Sequence, residues 1–147
     1  MNNLLNNVKV ARVLAAVAAG QATSYSDILD MKGFQGVVFI AKLGDVAAGS
    51  VLTLAAQQNS ANSETGMATL EGSVTHTATS TDADDNLLIL DVVRPNERYV
   101  RAALTSATAD AAKSGILAIQ YGAKEVPITQ GSTVLDSDTI NCPDEAA

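Results

Sequence analysis

The reactive side chains of this sequence are few, and their spacing does not assemble a catalyst. His76 is the only histidine. Alternation along "TLEGSVTHT" puts it on one face with Leu70 and Val74. That is the position of a partly buried or strand-end histidine, not of a general base with a proton to take. Serine and threonine are abundant, yet no G-x-S-x-G turn presents a nucleophile. Cys142, the single cysteine, lies in a polar tail with no histidine near it in sequence, and we read it as a free thiol. "DADDN" offers oxygen ligands at Asp82, Asp84 and Asn86, the alternate spacing that opens a calcium loop. The glycine required next is Leu87 and the closing glutamate is replaced by Val93, so the segment reads as a turn and no metal is expected. Gly33 and Gly36 in "KGFQG" precede a strand and match neither G-x-G-x-x-G nor a Walker pattern, so they read as turn residues and no cofactor is expected.

The concentrated chemistry is in "RPNERYVRAAL", where three of the four arginines fall between Arg94 and Arg101. They do so in a chain with sixteen acidic and nine basic residues, a net charge of −7 and a pI of about 4.4. Such a charge repels phosphate backbones and anionic membranes at long range, and Glu97 interrupts the cluster, so nucleic acid is not an expected partner. In an extended strand Tyr99 and Arg101 share a face. With Arg94 from the preceding turn they form a candidate interface with another subunit or a protein partner, of the residue types enriched at binding hot spots. Arg98 alternates onto the other face, where its guanidinium fork can pair with Asp91 on the preceding strand as an internal brace. Bracing by all three arginines and an anionic-ligand site are the competing readings.

Strands must position these groups. "QGVVFIAKL" is almost continuously apolar and reads as a central strand covered on both faces. "GDVAAGS" is a turn into "VLTLAAQQ", a hairpin candidate; "NSANSETG" is a surface loop. In "LLILDVV", Leu88, Leu90 and Val92 share a face and Asp91 points the other way. Pro95 and Asn96 break the chain before "ERYVRAALT", "SATADAAK" reads as a loop, and "SGILAIQYG" is a further strand. Val8 to Ala19 fits a helix as well as a strand; we read a strand beginning near Val8. The pattern predicts an all-β fold, an antiparallel β-sandwich or jelly-roll-like barrel with extended N- and C-terminal segments. Its parts are an arm at 1–7, a sandwich domain at 8–128 and a polar arm at 129–147.

The 147 residues suit one domain, which buries roughly 68–70% of the surface of its unfolded chain. Lys9, Arg12, Lys32 and Lys42 break every early apolar run short of the 18 or so residues of a membrane span, so no membrane is expected. The alanine-rich N-terminus reads as part of the fold, not as a cleaved signal. Five aromatic residues and no tryptophan make a poor platform for stacking sugars.

Three blocks, "SDILDMKGFQGVVFIAKLGDV" (Ser26 to Val46), "LDVVRPNERYVRAAL" (Leu90 to Leu104) and "GILAIQYGAKEVP" (Gly115 to Pro127), occur in an order that resembles a family of small tailed-bacteriophage proteins. Members are encoded beside the major capsid protein and regarded as capsid decoration, cement or minor head proteins. Arg98-Tyr99-Val100-Arg101 matches the family's R-Y-V-R signature, and the polar tail from Thr129 extends past its usual ending. The resemblance implies a non-catalytic virion component, made in the host cytoplasm and bound to the major capsid protein on the outside of the shell. It also implies a homo-oligomer, for which a trimer fits the threefold sites of capsid lattices. The alternatives are a virion-attached carbohydrate-binding or host-adhesion module and a head–tail connector or tail subunit.

Overall fold

Period-two alternation governs the chain, and in the computed structural model it produces strands throughout. The structure describes residues 3–140. In chain order the strands are β1 (Lys9–Leu14), β2 (Val17–Gly20), β3 (Thr23–Tyr25), β4 (Leu29–Asp30), β5 (Gly36–Val46), β6 (Val51–Asn59), β7 (Ala68–Thr77), β8 (Leu87–Val93), β9 (Tyr99–Ala107) and β10 (Ala111–Tyr121). The ambiguous stretch from Val8 is strand, as read, but it is split at Ala15–Ala16 into β1 and β2. Both halves pair with β10, and that ladder, with valines on the pleat, overrides the helix preference of the alanines. Among the described residues no helix is long and apolar enough to cross a membrane.

Two antiparallel sheets result. Sheet 1 runs β1-β10-β5-β8 with β2 also on β10; sheet 2 runs β3-β9-β6-β7 with β4 also on β9. This is jelly-roll order: chain neighbours mostly sit in opposite sheets, and β6–β7 is the long hairpin within one sheet. Three expectations are corrected by it. The turn after β5 does not close a hairpin, because β10 and β8 already occupy both edges of β5; Ala47–Ser50 carries the chain across the sandwich into β6. The Pro95–Asn96 turn likewise crosses from β8 in sheet 1 to β9 in sheet 2. "SATADAAK" is a tight turn with Thr108 at φ 73°, and strand continues into it from both sides.

The core lies between the sheets. β5 contributes Val37, Phe39, Ala41 and Leu43, β6 Leu52 and Leu54, β9 Val100, Ala102 and Leu104, and β10 Ile116 and Ala118, all essentially without solvent contact. β10 ends this apolar row with two polar clasps. Lys113, 3% exposed, donates from Nζ to Ala22 O (2.9 Å), Ser24 Oγ (2.9 Å) and Leu104 O (3.1 Å), joining sheet 1 to sheet 2. With no carboxylate among those contacts, desolvation lowers its pKa. At the other end Gln120 Nε2 donates to Asp30 O at 2.9 Å.

Candidate functional site

The three clustered arginines go to different places. Tyr99 and Arg101 do share the outer face of sheet 2, but Arg101 is not presented to a partner. β3 runs beside β9, and its Tyr25 ring lies under the guanidinium, with Cζ 4.1 Å from the ring centroid. Arg101 Nε donates to Gln57 Oε1 on β6 at 2.7 Å, and Glu64 from the β6–β7 loop approaches Nη1 at 3.4 Å. Only 6% of the residue remains exposed, so its geometry is that of a brace across three strands. Arg98 keeps a brace's chemistry with a different partner. Its fork grips Asp30 (Nε–Oδ1 2.8 Å, Nη2–Oδ2 2.7 Å) and passes 5.1 Å from the Tyr99 centroid. The proposed partner Asp91 lies on the outer face of sheet 1, where it accepts a 2.6 Å bond from Tyr121 Oη. Because β8 and β9 are in opposite sheets, an Arg98–Asp91 pair is not available.

Arg94 and Arg98 meet instead in a basic cleft at one end of the sandwich. Its volume is about 460 Å³, and its lining includes Lys32, Phe34, Arg94, Arg98 and Lys124, with Glu97 as the carboxylate among them. An adjoining hollow of about 370 Å³ shares Lys32, Phe34 and Lys124 and adds Glu125 and Ile128. Three loops build the cleft, and backbone bonds stitch them together: Arg94 N to Gln35 O and Lys124 N to Gly33 O, each 2.8 Å, and Met31 N to Arg98 O, also 2.8 Å. Arg94 adopts φ 51° and Gly33 φ 87°; these left-handed backbones turn their loops back on themselves. Four of the chain's nine cations therefore surround one opening. Arg98 is partly neutralised there by Asp30, whose carboxyl it holds at about 2. Lys32, Lys124 and Phe34 were missed from sequence; they sit in turns of the "DMKGFQG" and "GAKEVP" segments, and nothing in their spacing announces that the two turns touch.

A second surface is apolar. Along the outer face of sheet 1, register aligns Ile89 with Ile40 and Leu117, and Val38 with Ile119 and Val10. Leu87, Ile89, Leu117 and Val93 are 45–60% exposed. The double-faced apolar reading of "QGVVFIAKL" is thus met on one side only: Val37, Phe39 and Ala41 are covered by sheet 2, whereas Val38 and Ile40 are half-buried with no layer of described residues above them. The signal was present in sequence, since "LLILDVV" and "GILAIQY" are apolar at odd and even positions alike.

The other candidates are tied into turns. His76 closes the end of β7 with Nε2 3.0 Å from Asp82 Oδ2, while Asp82 Oδ1 accepts from Thr79 N at 2.8 Å. That backbone bond, with the histidine contact, lowers the Asp82 pKa. Asp84 Oδ1 caps Val46 N at 2.8 Å and Asn86 Nδ2 donates to Asp82 O, so the three oxygen-bearing side chains do not converge. No group of three histidine, cysteine or acidic side chains among the described residues could hold a metal. Cys142 lies outside the described residues.

No protein-family model matches the chain, and none of the curated proteins matches it in sequence. Among solved structures, the PBSX exported protein XepA is similar with a TM-score of 0.53 and 20% identity. The match covers 95% of this chain and 46% of XepA, so this chain spans about half of that protein's length. Eiger TNF from S. frugiperda (TM-score 0.37, 9% identity, 87% of this chain and 100% of that one) and PirA (0.33, 13%, 82% and 96%) lie below the level at which a common fold follows. The likeness to XepA establishes a shared β-sandwich fold.

Proposed function

We propose that this chain is a non-catalytic structural protein of a tailed-bacteriophage particle that binds the major capsid protein at the outer surface of the shell and stabilises it. The uncovered face of sheet 1 carries the reading. Single exposed aliphatic side chains are ordinary on a folded domain, but a contiguous exposed apolar patch marks an interaction surface. Burying one such side chain is worth about 1.5–3 kcal/mol, and many weak attachments spread over a shell add their effect. The phage setting is supported by the three sequence blocks and by a fold shared with a protein of the prophage PBSX.

Two measurements test it. Quantitative mass spectrometry of purified virions should give a copy number comparable to that of the major capsid protein or a simple fraction of it; a few copies confined to one vertex would indicate a connector or adhesion role. The double change Ile89→Thr and Leu117→Thr should abolish attachment to purified shells and lower the melting temperature by roughly a few degrees only, because both side chains are about half exposed and threonine keeps the strand preference. Unchanged attachment would remove this face from the proposal.

A further inference from the structure

The molecule carries two complementary features that do not meet within one copy. The first is the basic cleft of Lys32, Arg94, Arg98 and Lys124 with Phe34 and Ile128 beside it. The second is the chain from Thr129 onward, which holds Asp136, Asp138, Asp144 and Glu145 and no lysine or arginine. This segment is first anchored and then let go. Gln130 Oε1 accepts from Val10 N at 2.8 Å, its Nε2 donates to Val8 O at 2.8 Å and Leu5 O at 3.1 Å, and Thr133 Oγ1 accepts from Arg12 N at 3.1 Å. Among the described residues beyond Val134 the side-chain hydrogen bonds are local: Ser137 N donates to Asp136 Oδ1 and Thr139 N to Asp138 Oδ1. Leu135 is 100% exposed and Ile140 68%, so two large, mostly exposed aliphatic side chains flank two carboxylates.

We propose that the basic cleft receives the C-terminal segment of a second copy of this chain, from Leu135 onward. The carboxylates meet Lys32, Arg94 and Lys124, and the aliphatic side chains lie against Phe34 and Ile128. A second copy is the occupant because the segment's own path leads elsewhere: Ser137, Asp138 and Thr139 line a hollow with Asn3, Leu5 and Asn6, and no described tail residue beyond Ile128 lines the cleft or its adjoining hollow. Copies of net charge −7 repel one another, and pairing an acidic tail with an opening where four cations outnumber Glu97 and Asp30 is a contact that relieves the repulsion. Tail-to-cleft contact is heterologous, so it propagates until the rotation closes a ring. It is independent of capsid attachment, which uses the outer face of sheet 1.

Sedimentation equilibrium on the full chain tests it. The wild type should exceed its 15.1 kDa monomer mass, increasingly so with concentration, and dissociate at high salt, where the screening length shrinks to about 3 Å at 1 M. Arg94→Glu with Lys124→Glu, and separately Asp136→Lys with Asp138→Lys, should each weaken association at least about tenfold, and mixing the two variants should restore it. A wild type that stays monomeric, association untouched by either pair, or a mixture that stays dissociated would each overturn the proposal. Circular dichroism melting of each variant confirms that the fold persists.

Discussion

Arg98 and Arg101 stand three residues apart and face different environments. Arg101 points outward, where the register brings Gln57 beside it and Tyr25 beneath it, and both are supplied by other strands. Arg98 sits just before β9 and finds Asp30, a residue 68 positions earlier. Alternation placed Tyr99 and Arg101 together but failed for Arg98, which precedes the strand and turns to the exposed Asp30 beside Tyr99; nor could it supply the partners, because pairing across a sheet depends on which strands are neighbours. Replacing Arg101 by Met should cost about 1–3 kcal/mol, since a nearly buried charge-assisted bond and a cation–π contact go together and Gln57 Oε1 is left without its donor. Urea unfolding checks this. Glu64→Gln should fall within about 0.5 kcal/mol of the wild type, its carboxylate being 81% exposed.

Among the elements, β1 shows how an exposed edge is managed. Among the described residues it has β10 on one side and no strand on the other, and the tail fills that side with side chains in place of backbone: Gln130 and Thr133 take the Val10 and Arg12 amides. Ile128 N adds a backbone bond to Asn6 O at 2.9 Å. Gln130→Ala should therefore speed hydrogen exchange at the Val10 amide about tenfold or more and leave the Ile119 amide on β10 unchanged, as read by exchange NMR. Element type was legible in the sequence because β-branched alternation between glycine and proline turns is a local signal. Sheet membership was not. A turn such as Ala47–Ser50 uses the same small residues whether it folds a strand onto its neighbour or carries it to the opposite layer. The polar tail reads as an arm in sequence, but its grip on β1 depends on Gln130 and Thr133, which no periodicity marks.

At the scale of the whole molecule, jelly-roll order makes the fold a product of distant pairings, with Lys9 opposite Gln120 and Asn59 opposite Tyr99. The all-β class and the alternating core residues could be read in advance; the basic cleft could not, since its loops meet only once both sheets are complete. Two titrations bracket the stability of this assembly. Hydrogen bonding from Arg98 holds Asp30 at about 2 against an ordinary 3.8, so the native state releases that proton more readily than the unfolded chain. Its contribution is full above about pH 4 and is lost as pH falls towards 2. Burial, and then the bond to Asp91, push the Tyr121 phenol up to about 12 from 10, so its contribution holds below pH 10 and is lost as pH rises towards 12. In the pH dependence of denaturant midpoints, Asp30→Asn should flatten the fall at acid pH and Tyr121→Phe the fall at alkaline pH. The clamp on β1 adds a mechanical consequence. A pull applied to the tail beyond Val134 is met first by Gln130 and Thr133, and these few side-chain bonds can part and re-form while the ten strands behind them stay closed.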